Sequence, residues 1–68
     1  MSIVEQLKSI DHALSVKELA DLLHLGKTAI YDMVSRGAVP CIRLGYTVRF
    51  DPFEIALWLE ARSSGAAR

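Results

Sequence analysis

Sixty-eight residues, 51% of them apolar, make one small domain with enough hydrophobic material for a core and only a thin stability margin. No apolar run approaches the ~20 residues that cross a bilayer, no signal peptide is evident, and the single cysteine, Cys41, excludes an internal disulfide framework and fits a reducing cytoplasm. The formal net charge is zero, which argues against any partner held by bulk charge alone.

The first candidate element is Ser2 to Ile10, where Ile3, Leu7 and Ile10 share one helical face and Val4 lies beside them. Asp11-His12 reads as a break. The stretch Leu14 to Gly37, LSVKELADLLHLGKTAIYDMVSRG, then reads as two short helices joined by a tight turn. Ser15 and Glu18 form an S-x-x-E capping box, and Val16, Leu19, Ala20 and Leu23 make one apolar stripe behind it. Leu22 lies off that stripe and needs a cover, from the N-terminal segment or from a second subunit. His24-Leu25-Gly26 interrupts the pattern, with Gly26 expected to take the special backbone angles of the turn. From Lys27 the helical period restarts, with Ile30, Met33 and Val34 inward and Thr28, Tyr31, Asp32 and Ser35 outward. Gly37 supplies the left-handed residue that commonly closes a helix.

After Gly37 the period changes. Val39 to Leu44 and Tyr46 to Phe50 are β-rich runs around Gly45 and predict a hairpin, with Pro40 suited to an edge strand. A three-residue loop, Gly45 to Thr47, pairs Leu44 with Val48 and Ile42 with Phe50; this turns four apolar side chains inward and sets Arg43 opposite Arg49. That register is preferred over a two-residue loop, which pairs Ile42 with Arg49. Asp51-Pro52-Phe53-Glu54 opens a last helix, whose buried stripe is Ile55, Trp58 and Leu59, and Ser63-Ser64-Gly65 closes it. The expected architecture is mainly α with a small β-hairpin, in the order α-α-β-β-α with a further helix candidate at the N-terminus. Residues 1–13 are an extension, 14–62 the organised domain and 63–68 a disordered tail.

Helix, short turn, helix is the shape that lays its second helix into a DNA groove. The charge distribution agrees: residues 27–50 hold Lys27, Arg36, Arg43 and Arg49 against Asp32 alone, a local sum of +3 on a neutral chain. Candidate DNA contacts are Lys27, Thr28, Tyr31, Asp32, Ser35 and Arg36 on the second helix and Arg43, Tyr46, Thr47 and Arg49 on the hairpin. Alternatives stand beside several of them. Tyr31 is either a phosphate or sugar contact or a half-buried aromatic, and Arg36 either meets phosphate or stabilises its helix C-terminus. Arg43 and Arg49 face either a phosphate backbone or helix carboxylates. His12, His24 and Cys41 lack ligand spacing, so neither metal nor cofactor is expected, and no catalytic set or Gly-rich phosphate loop points to an enzyme.

The ordered set Val16, Glu18 and Ala20; Tyr31; Arg36, Gly37 and Pro40; Ile42, Arg43, Leu44, Gly45 and Arg49; and Trp58 and Leu59 resembles the excisionase-type, MerR-like winged helix-turn-helix family. The resemblance covers Leu14 to Glu60. It implies a small cytoplasmic, nucleoid-associated DNA-binding protein of a mobile genetic element, with the reading helix in the major groove and the wing on the neighbouring backbone or minor groove. It implies a role in directing recombination towards excision, or in transcription regulation, with double-stranded DNA and an integrase or recombinase as candidate partners. A protein-protein adaptor using the same surface is the reading from another class. The chain departs from the pattern at Gly26, where a Ser-type cap is usual, at Asp32, where a basic residue is frequent, and at the wing tip Tyr46-Thr47. A single copy should therefore bind weakly and act through several copies on adjacent sites, with Ile3, Leu7 and Ile10 as a candidate contact between neighbours.

Overall fold

The computed structural model describes residues 2–66, and within them the chain forms α1 (Ile3–Lys8), α2 (Val16–Leu23), α3 (Lys27–Ser35), β1 (Ile42–Leu44), β2 (Thr47–Arg49) and α4 (Pro52–Ala66). The architecture is the expected one, a mainly helical domain with one antiparallel hairpin, consistent with a winged helix-turn-helix. Local chemistry explains most boundaries. Both α1 and α2 open with reciprocal capping boxes, Ser2 with Glu5 and Ser15 with Glu18. Pro52 sits at the first position of α4, and the Asp51 carboxylate accepts the Phe53 N–H at 3.0 Å. Helix α4 runs on to Ala66, past the Ser63-Ser64-Gly65 stretch where the sequence pattern closes it. One glycine costs a helix about 1 kcal/mol, which weakens a last turn without ending it. Residues 67 and 68 of the expected disordered tail lie outside the described residues.

The core is drawn from every part of the chain. Leu7, Leu14, Leu19, Ile30, Phe50 and Ile55 are its largest fully buried side chains, supplied by α1, the approach to α2, α2, α3, the exit of β2 and α4 in turn. Helix α2 packs on α3, while α1 packs on α4, where Lys8 Nζ also meets Glu60 at 3.4 Å. Leu7 is fully buried and Ile3, Val4 and Ile10 pack against the same core. The apolar N-terminal stripe is therefore spent inside the chain, largely against α4, and Leu7 has no surface left to offer a second copy. Trp58, also on α4, donates its indole N–H to the Ala38 carbonyl at 3.0 Å and carries the Arg62 guanidinium over its ring at 4.5 Å.

The hairpin register differs from the sequence expectation. The loop has two residues, Gly45 and Tyr46, and the pairs are Ile42 with Arg49, Arg43 with Val48 and Leu44 with Thr47. Gly45 has φ +65° while Tyr46 is not left-handed, the pattern of a type II′ hairpin turn, which puts glycine first. Phe50 does not face Ile42. It exchanges two backbone hydrogen bonds with Leu14, at 2.8 and 2.9 Å, and its ring goes to the centre of the core. Burial of the aromatic against the helices outweighs burial of the strand's aliphatics: Ile42 and Leu44 stay 42% and 61% exposed. Because neighbours along a strand point to opposite faces, Arg43 and Arg49 lie on opposite sides of the hairpin and not opposite each other.

Candidate nucleic-acid interface

The outward surface of α3 is set by how its two ends are closed. At the turn before it, His24 and not Gly26 takes the left-handed conformation, with φ 57°. Histidine tolerates that region better than most residues, and the turn is closed by Leu25 N–H to Ala20 O at 2.9 Å and His24 N–H to Asp21 O at 3.3 Å. Gly26 has extended angles, caps α3 and gives it no side-chain hydrogen bond. The far end is closed by Gly37 at φ +67°, with Gly37 N–H bonded to Val34 O at 3.0 Å and Ala38 N–H to Met33 O at 2.9 Å. Ile30 and Val34 are buried and Met33 half-buried, so Lys27, Thr28, Tyr31, Asp32, Ser35 and Arg36 all face outward.

These outward residues divide into two flanks. On the first, Lys27 and Tyr31 line a groove against the hairpin, whose contributions are Tyr46, Thr47 and Arg49. Tyr31 is 55% exposed, Tyr46 wholly so, and Thr47 and Arg49 are half-buried. The start of α2 forms the remaining wall, through Ser15, Val16 and Lys17. No carboxylate lines this groove. Lys17 Nζ is held by Asp21 at 3.0 Å one helical turn on, whereas among the described residues no carboxylate pairs with Lys27 or Arg49. Arg49 gives one N–H to the Val48 carbonyl at 2.9 Å, an acceptor that leaves its charge uncompensated.

The second flank of α3 is electrically quiet. Thr28, Asp32 and Arg36 stand one above another at helical spacing, and the Asp32 carboxylate accepts from Arg36 Nη2 at 2.9 Å and from Nε at 3.0 Å. Ser35 turns its hydroxyl back onto the Asp32 carbonyl at 2.9 Å. Arg36 thus serves its own helix, but through Asp32 and not through the terminal carbonyls. Those fall to Arg43, whose Nη2 reaches Val34 O at a long 3.4 Å. Neither hairpin arginine meets a helix carboxylate.

The structure therefore brings together Lys27, Tyr31, Tyr46, Thr47 and Arg49, places Thr28, Asp32, Ser35 and Arg36 on the adjoining flank, and sets Arg43 apart at the C-terminus of α3. Sequence reasoning missed Lys17. Its signal was a cation in the first turn of a helix, where the helix dipole disfavours positive charge.

A separate polar cluster stands where the chain enters α2. His12 Nε2 lies 3.1 Å from Glu18 Oε2 and its Nδ1 lies 3.6 Å from Asp11. Hydrogen bonding to Glu18, then to Asp11, raises the His12 pKa above its ordinary 6.5. The Ser15 backbone N–H, followed by His12, holds Glu18 below the usual carboxylate value. Among the described residues no group of three or more His, Cys, Asp or Glu is arranged to hold a metal ion, and no helix is long and apolar enough to cross a membrane.

A family model described as a helix-turn-helix domain matches residues 13–63. No curated protein and no solved structure matches the chain.

Proposed function

The chain belongs to the helix-turn-helix domain family, and from that premise we propose that it binds double-stranded DNA sequence-specifically, with α3 in the major groove and the hairpin against the adjoining backbone. The observation that carries this reading is the groove between α2, α3 and β2: it is walled by Lys17, Lys27 and Arg49, contains Tyr31, Tyr46 and Thr47 as hydrogen-bond donors, and has no acid in it. Lys27 and Arg49, two cations without carboxylate partners among the described residues, line one flank of a helix that the domain presents outward and suit phosphates along one edge of a DNA groove. Tyr46 at the wing tip suits the sugar-phosphate edge.

Within that reading, the resemblance of the Leu14–Glu60 pattern to excisionase-type proteins favours an accessory role in recombination, with an integrase or recombinase as protein partner. A transcription regulator would use the same contacts. One reading helix and about two phosphate contacts make an interface near the low end of the ~600–1,000 Å² of a single DNA-binding module, so occupancy of repeated adjacent sites supplies the missing affinity. Ile42 and Leu44, exposed on the hairpin, favour a second reading, in which the wing binds protein. A mobility-shift titration against the genomic DNA flanking the coding sequence separates the two. Binding that weakens on Lys27→Ala and Arg49→Ala supports the DNA reading, and no shift of any duplex overturns it.

A further inference from the structure

We infer that Asp32 is the specificity-determining residue of α3 and that it takes the exocyclic amino group of a cytosine in the major groove. The inference rests on the DNA-binding reading and goes beyond it by naming the base and the side chain. Asp32 is the one carboxylate on α3, it points outward, and its side chain is 59% exposed. A bare carboxylate there would be repelled by the phosphates on either side of the groove. In this chain its charge is met by Arg36, which contributes two N–H groups to the same oxygen, Oδ2, at 2.9 and 3.0 Å. That leaves Oδ1 without a hydrogen-bond partner among the described residues and holds the side chain in one place. Arg36 is accordingly a positioning residue.

An acceptor-only group meets few suitable base edges. In the major groove guanine presents acceptors, and thymine an acceptor and a methyl group. Adenine places its N7 acceptor beside its amino group, so a carboxylate there gains one hydrogen bond and faces one lone pair. Cytosine presents its N4 amino group without a neighbouring acceptor on the same base, and is the match for a carboxylate oxygen. The phosphate anchors lie on the other flank of the helix, through Lys27 and Arg49, so the Asp32 flank is left to face bases.

The test uses the full chain. Duplexes are enriched from a randomised pool with the wild type, with Asp32→Ala and with Arg36→Gln, and affinities for the enriched duplex and for a random one are measured against salt. The wild type is expected to fix a cytosine at one position and to lose on the order of tenfold to a hundredfold in affinity when that base pair is changed. Asp32→Ala, whose exposed position leaves folding intact by circular dichroism, is expected to lose the cytosine preference. It should also hold random duplex more tightly, with a salt slope steeper by about 0.9 as Arg36 is released to a phosphate. Arg36→Gln is expected to keep the preference while weakening every duplex, because the unmatched carboxylate then faces the phosphates alone. Asp32→Ala enriching the same cytosine as the wild type would overturn the inference and leave DNA binding standing. A wild type that binds duplex with a salt slope but enriches no base also overturns only the inference. A wild type that binds no duplex at all overturns both.

Discussion

The salt dependence of binding, and its response to Arg49→Ala against Arg43→Ala, tests the geometry of the groove directly. Each phosphate neutralised on B-DNA contributes a slope of about −0.9 to log K against log[salt]. The groove offers Lys27 and Arg49 unmatched, whereas Lys17 is held by Asp21, Arg36 is matched by Asp32 and Arg43 is turned to the Val34 carbonyl. Two contacts give a slope of about −1.8 per bound chain, or roughly a 12-fold loss of affinity between 50 and 200 mM salt. Removing Arg49 leaves one contact, a slope of about −0.9 and roughly a 3- to 4-fold loss over the same range. Arg49→Ala should leave folding intact, since among the described residues the side chain's one hydrogen bond is to the adjacent Val48 carbonyl. Arg43→Ala should do the reverse, leaving the slope unchanged and costing about 0.3–1 kcal/mol of stability through the lost contact with the end of α3. Fluorescence-anisotropy titrations of labelled duplex at four or five salt concentrations measure the slopes, and urea unfolding measures the stabilities. A wild-type slope near zero on an enriched site, or equal changes of slope in the two variants, would refute the assignment of Arg49 to the interface.

Phe50→Ala should cost about 3–5 kcal/mol, a large share of the roughly 3–10 kcal/mol available to 68 residues, so circular dichroism at 25 °C should find the variant largely unfolded. The two glycines that bound α3 should respond in opposite directions. Gly26→Ser adds the missing cap where nothing lies within 4 Å of a new Cβ and should stabilise by a few tenths of a kcal/mol, while Gly37→Ala forces a side chain into φ +67° and should destabilise by about 1 kcal/mol, both read by urea midpoints. His12 has a pKa raised by Glu18 and Asp11, so its contribution to stability is fully present below pH 6.5 and is lost as pH rises through the raised value. Glu18, held low, contributes above its ordinary 4.5 and loses that contribution as pH falls through its lowered value. His12→Ala should therefore flatten the melting temperature's decline between slightly acid and mildly alkaline pH, and an unchanged profile would show that His12 does not couple to folding.

What the amino-acid sequence by itself determined is most of what is settled within about four residues, the left-handed His24 in place of Gly26 being the exception. The Ser15–Glu18 capping box, the Asp51 cap with Pro52 behind it, the stop at Gly37 and the inward spacing of Ile30 and Val34 each depend on groups one helical turn apart, so the sequence order specifies them. The Ser2–Glu5 box obeys the same rule and was equally legible, though the expectation for that segment rested on its apolar face alone. The order of helices and strands, with Lys27 and Tyr31 on the outward face of α3, followed from such local signals. The tertiary structure decided what depends on distant partners. Cross-strand burial alone favours pairing Phe50 with Ile42; in the folded chain Phe50 pairs with Leu14, 36 residues earlier, and is fully buried among the helices' apolar side chains while Ile42 and Leu44 stay exposed. That one pairing shifts the register, sends Arg43 to the end of α3 and Arg49 to the groove, and brings Lys17 in as a wall. A β-strand's side chains alternate with a period of two, so one residue of register between the strands puts Arg43 and Arg49 on opposite faces instead of the same one.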